Sequence, residues 1–108
     1  MNLVVLTGSV ATAPRKVAEG IVVLNVVAIG QYNRKTQKNN TSLVPVKVMG
    51  KKADYILEYA EKGQQIDVNA FMESRVKDNQ YYCDIVVNDF EGSVRLGHKS
   101  MKFEKEEE

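Results

Sequence analysis

The sequence predicts an all-β domain with one helix, closed as a small five-stranded barrel. Three observations point there. From Thr41 to Arg75 an alternation at Val44, Val46 and Val48 gives way to Ala53, Ile56, Leu57 and Ala60 at helical spacing, then to a second alternation at Ile66, Val68, Ala70 and Met72. Gly50 and Gly63 punctuate the two junctions. Strand, helix and strand in so few residues, without further repeats, cannot build a parallel crossover core. A barrel with one helix plugging its end fits.

Taken in order, residues 2 to 10 (NLVVLTGSV) read as a first strand. Leu3 to Leu6 is apolar on both parities, which predicts burial by the barrel on one side and by a neighbouring subunit on the other. Gly8 inside the pattern predicts a bulge or sharp bend. Ala11 to Glu19, with Pro14, Arg15 and Lys16, reads as a connection ending at the Gly20 turn. Ile21 to Ile29 is the second strand. Gln31 to Asn40 (QYNRKTQKNN) holds Arg34, Lys35, Lys38 and Tyr32 but no acid. It reads either as a solvated hairpin loop or as a cationic finger that wraps a phosphate backbone; about ten residues is long for a hairpin loop.

The third strand, Ser42 to Met49, places Val44, Val46 and Val48 inward and Leu43, Pro45, Lys47 and Met49 outward. Pro45 cannot donate a ladder bond and belongs at a bulge or facing away from a neighbour. The helix spans Lys51 to Lys62, with Asp54 in its first turn, a possible Glu58–Lys62 pair and Gly63 at the left-handed terminal position. In the fourth strand, Gln65 to Arg75, the residues Ile66, Val68, Ala70 and Met72 face in. Phe71 then lies on the polar parity near Arg75, as a subunit contact or a stacking platform. Lys77-Asp78-Asn79 is turn chemistry. Tyr81 to Val87 is the fifth strand, with Tyr81 and Tyr82 on opposite faces, one core and one surface. Ser93 to Leu96 reads as a short terminal strand. Residues 1–100 form the domain, and 101–108 a short acidic tail without periodicity, expected to be disordered.

At 108 residues the chain is one domain able to bury roughly two-thirds of its unfolded surface. Its 44% hydrophobic and 27% charged residues are those of an ordinary globular protein. The net charge of +1 conceals a split: residues 1 to 103 carry 14 basic and 10 acidic side chains, a bias that permits a polyanionic partner. Cys83 alone excludes an internal disulfide and suits a reducing compartment. Met1-Asn2 runs into a strand pattern without a leader, and the longest apolar run is too short to span a bilayer; a cytoplasmic protein is expected.

Catalytic chemistry is not evident. One His and one Cys cannot supply a zinc site, and His98 has no nucleophile or orienting carboxylate beside it, so it reads as a surface residue. Cys83 reads as a small packed strand residue. Gly50-Lys51-Lys52 lacks the upstream glycine and following hydroxyl of a phosphate loop. No cofactor or metal is expected, and the chain reads as a binding protein.

Five strands with a helix between the third and fourth is the Greek-key order of an OB-fold, which binds single-stranded nucleic acid across its barrel face and loops. Over roughly its first 97 residues the chain resembles the bacterial-type single-stranded DNA-binding proteins. The matching stretches are Met1-Asn2 with Val4, Leu6 and Gly8, then Pro14-Arg15, Thr41 to Ala53, Glu58-Tyr59, Lys62-Gly63, Arg75, Asp84 to Val87 and Val94 to Gly97. The resemblance implies sequence-independent binding that protects and holds open single strands during DNA replication, recombination and repair. Base stacking and phosphate contacts would supply the affinity. It also implies a homo-oligomer, with a tetramer favoured over a dimer and the first strand at a contact.

Departures from the family pattern shape the expected site. Leu43 and Met49 stand where third-strand aromatics are usual, Val76 and Lys77 follow Arg75 without an aromatic, and there is no Trp. Phe71, Tyr32 and one of Tyr81 or Tyr82 remain as platforms. The expected nucleic-acid-binding residues are Tyr32, Arg34, Lys35, Lys38, Lys47, Met49, Phe71, Arg75 and Lys77, with affinity falling steeply as salt rises. The end, Phe103 followed by EKEEE, lacks the linker and hydrophobic recruitment tip typical of the family. This short form suggests a phage- or plasmid-encoded member, and leaves open which replication or recombination proteins it meets. Two alternatives stand beside this reading. One is a replication-restart primosomal accessory protein of the same fold, which would bring down a helicase or its loader. The other is an OB-fold protein-interaction adaptor, against which the acid-free Gln31 to Asn40 argues.

Overall fold

The computed structural model describes residues 2–97. The expectations for His98 and for the acidic tail lie outside these residues. The element order is β1 (Val4–Val10), β2 (Arg15–Ala18), β3 (Ile21–Asn33), β4 (Lys38–Met49), α1 (Lys51–Tyr59), β5 (Gln65–Lys77), β6 (Gln80–Val87) and β7 (Ser93–Leu96). Strands β1, β3, β4, β6 and β5 pair in that order, and β1 pairs back onto β5, so five strands close a ring. β2 and β7 extend it at β3 and β5. The connection read between Ala11 and Glu19 thus contains a strand, exposed along its whole length because only β3 supports it.

Gly8 is where the ring closes. It is paired with Ala28 of β3 and with Ile66 of β5. A side chain there would run into the Val27 carbonyl, so only glycine admits this approach.

The core follows the alternation. Val22, Leu24 and Val26 of β3, Val46 and Val48 of β4, and Ile66, Val68 and Ala70 of β5 are almost fully buried. Ala53 and Ile56 of α1 press onto the same cluster, as the helical spacing predicts. The helix ends at Tyr59 rather than Lys62, which places Lys62 beyond the last turn and removes the Glu58–Lys62 register. Leu57 is exposed and does not belong to the stripe, whereas Ala60 is buried at the helix end.

The N-terminus of α1 is tied down from a distant turn. Asp89 Oδ1 accepts a 2.9 Å hydrogen bond from Lys51 N, and Lys52 Nζ donates to the carbonyls of Asn88 and Gly92, both at 2.9 Å. A carboxylate at a helix start satisfies a free amide and complements the helix dipole. Gly50 has φ 80°, and a Cβ there would meet the Asp89 carboxylate. The Gly50-Lys51-Lys52 run therefore serves a structural junction.

Two hairpins project beyond the ring. β3 and β4 stay paired, across a register shift between Ile29 and Tyr32, as far as Asn33 and Lys38. The stretch 31–40 is thus not a ten-residue loop but an arm with a turn at residues 34–37. β5 and β6 likewise run on to Lys77 and Gln80, with Asp78 and Asn79 at positive φ in the turn. This extension corrects three expectations. Met72 keeps the inward parity but is 47% exposed, because no other element among the described residues covers the hairpin. Tyr81 and Tyr82 are both exposed, so neither is core, and Cys83 is exposed rather than packed.

Candidate nucleic-acid interface

The outward parity of four strands makes one continuous face. Val23, Lys47, Val86 and Phe71 are successive partners across β3, β4, β6 and β5 and form a row. The next two rows along the β5–β6 ladder on that face are Glu73 opposite Asp84 and Arg75 opposite Tyr82. Alternation on β4 and β5 thus turns Lys47 and Arg75 toward the same patch, as their parity predicts.

A groove of about 260 Å³ lies there, lined by Val23, Pro45, Lys47, Arg75, Cys83 and Asp84 among others. Its charged groups converge on one oxygen. Asp84 Oδ2 accepts a 2.9 Å hydrogen bond from Arg75 Nε and lies 3.9 Å from Lys47 Nζ. The Arg75 guanidinium also sits 4.9 Å from the Tyr82 ring centroid, a cation–π distance. Tyr82 in turn donates its hydroxyl proton to Gln80 Oε1 at 2.9 Å.

A second depression, bounded by Thr12, Arg15 and Asn25, shares Val23 with the first. Asn25 Nδ2 donates to Thr12 Oγ1 at 3.1 Å and fixes the amide on the strand surface. The two depressions thus adjoin at Val23.

Of the nine residues expected from sequence, Lys47 and Arg75 meet in the groove and Phe71 flanks them in the Lys47 row. Met49 is on the same side of β4 but at its end, opposite Ile21 and half-buried. Tyr32, Arg34, Lys35 and Lys38 occupy the first arm, all exposed, and Lys77 closes the second. The structure does not gather these arm residues into the groove. Asp84 and the Tyr82–Arg75 stack are what residue type and parity did not single out. Counting back from Val86 puts Asp84 on the outer face, but only the β4–β6–β5 register sets it between two cations.

Among the described residues no group of three His, Cys, Asp or Glu could hold a metal ion, and no helix is long and apolar enough to cross a membrane.

Comparisons with known proteins agree on one family. The model of the single-strand binding protein family matches residues 1–92. No curated protein matches the sequence. Among solved structures, the chain is similar to a Plasmodium falciparum single-stranded DNA-binding protein in complex with single-stranded DNA. The TM-score is 0.73 at 19% identity, covering 91% of this chain and 96% of that one. It is also similar to a small single-stranded DNA-binding protein from Streptomyces coelicolor, with TM-score 0.59 and 19% identity over 90% of this chain and 96% of that one. A third similarity is to the Thermus aquaticus single-stranded DNA-binding protein, with TM-score 0.65 and 19% identity over 91% of this chain and 50% of that one. The shared architecture is the OB-fold, a barrel with one helix. With the family model covering most of its length, the chain belongs to the single-strand binding protein family, non-enzymatic proteins that bind single-stranded DNA.

Proposed function

We propose that single-stranded DNA crosses the outward face of β3, β4, β6 and β5, between the two projecting hairpins. The observation that carries this reading is the convergence of Lys47 and Arg75 in an apolar-walled groove. Phosphates meet Lys47 and Arg75 there, Lys77 on the second arm, and Arg34, Lys35 and Lys38 on the first. Phe71, Tyr32 and Tyr82 offer ring surfaces to bases, and Met49 lines the far end of β4. Binding is sequence-independent, because a ring face accepts any base and a cation any phosphate.

The role that follows is to protect single strands and hold them open during replication, recombination and repair in the cytoplasm. The unit of action is a homo-oligomer, a tetramer before a dimer. Leu3, just before β1, and Val5 on it support this: they stand 58% and 62% exposed, an apolar pair left uncovered by the described residues. A phage- or plasmid-borne copy would act in the host cell.

Hydrogen exchange with and without oligo-dT tests the placement. Protection should rise along residues 21–33, 38–49 and 71–86 and stay unchanged on the solvent side of α1. Protection confined to α1 and β7 would move the site elsewhere.

A further inference from the structure

The two cations that meet in the groove, Lys47 and Arg75, are not free. Asp84 Oδ2 is hydrogen-bonded to Arg75 Nε at 2.9 Å and lies 3.9 Å from Lys47 Nζ, and its side chain retains only 24% exposure. A carboxylate oxygen and a phosphate oxygen are equivalent partners for a guanidinium and an ammonium group. Resting on the reading of this face as the DNA site, we infer that Asp84 is a built-in competitor that occupies the phosphate position between Arg75 and Lys47. A strand engages both cations only by displacing or sharing that carboxylate.

The geometry gives this contact its direction. Arg75 is held by Asp84 at Nε, while its guanidinium carbon sits 4.9 Å from the Tyr82 ring centroid. The terminal amino groups stay available for a first, partial phosphate contact. Full engagement then exchanges Asp84 for phosphate at constant local charge, so fewer counterions are released than two unpaired cations would release. Asp84 thereby sets how tightly the groove grips and how readily it lets a strand go, while the first arm provides the salt-dependent capture. Glu73 stands directly across the ladder from Asp84 on the same face, yet forms no ion pair with either cation among the described residues. It provides the matched control for charge without contact.

The test compares wild type, Asp84→Asn and Glu73→Gln by anisotropy of fluorescent oligo-dT across a salt series, with circular dichroism to verify folding. Asp84→Asn should tighten binding about fivefold or more at low salt, the effect of removing a unit charge within a few ångströms of the ligand. The slope of log K against log salt should steepen by about 0.7, one phosphate contact on a single strand. Its dissociation rate should fall, and Glu73→Gln should produce a clearly smaller change in all three. Weaker binding by a folded Asp84→Asn protein would make Asp84 a positioning residue for Arg75 and overturn the inference. Equal tightening by both variants would reduce the effect to net charge and overturn it too. Unchanged hydrogen exchange along residues 38–49 and 71–86 in wild type saturated with oligo-dT would instead refute the placement of DNA on this face.

Discussion

Arg75 lies directly opposite Tyr82 in the β5–β6 ladder, and its guanidinium carbon sits 4.9 Å from the ring centroid. Tyr82 remains 39% exposed beside this contact, and under the proposed function its ring is a surface for a base. Tyr82→Leu keeps an apolar side chain but removes the π-face. We expect it to weaken oligo-dT binding roughly five- to 100-fold, given about 1–3 kcal/mol per stacked base. Titration at fixed salt checks this, and an unchanged affinity would exclude Tyr82 from the contact surface.

The first arm predicts a different signature. Replacing Arg34, Lys35 and Lys38 together with Gln removes three exposed cations that pack against no core residue. The log K against log salt slope should become shallower by about 2, at about 0.7 per phosphate contact. The thermal midpoint should hardly move. A slope equal to that of wild type would show that the arm does not touch the strand.

The apolar pair at β1 bears on assembly. Val5→Glu puts a charge on the exposed side of β1, opposite Asn69 in the β1–β5 ladder, without entering the barrel. Under the proposed homo-oligomer, sedimentation should show a smaller species than wild type at equal concentration. The same mass for both proteins would place the contact elsewhere.

Stability predictions follow from the α1 junction. Asp89→Ala removes the carboxylate that accepts from Lys51 N and should cost about 0.5–2 kcal/mol, as lost helix caps do. Ile56→Ala, at a side chain with no exposed surface, should cost about 2–5 kcal/mol. Denaturant unfolding measures both, and an Asp89→Ala protein as stable as wild type would show that the cap contributes nothing.

The barrel was legible because its signals are local. Val44, Val46 and Val48, the spacing of Ala53 and Ile56, and Ile66, Val68 and Ala70 each report burial through a short period. Gly8 was legible as a special backbone position, although only the ring closure explains it. The arms were not legible: once β3 and β4 leave the ring, no core imposes an apolar alternation, and a paired but exposed hairpin reads like a polar loop. Parity then misleads at Met72, Tyr81 and Cys83, where the alternation continues but burial stops. β2 escaped for the same reason, being exposed throughout. In the site, parity was enough to turn Lys47 and Arg75 outward. The Asp84–Lys47 contact depends on a parallel β4–β6 register between residues far apart in sequence, which no local pattern encodes.

Under the proposed function, this face selects single strands through stacking and phosphate contacts. Its most direct test is titration of fluorescent oligo-dT and of a duplex of equal length at two salt concentrations. Far tighter binding to the single strand is expected at both salts, with affinity falling as salt rises. Equal affinity for duplex and single strand, or binding indifferent to salt, would contradict it.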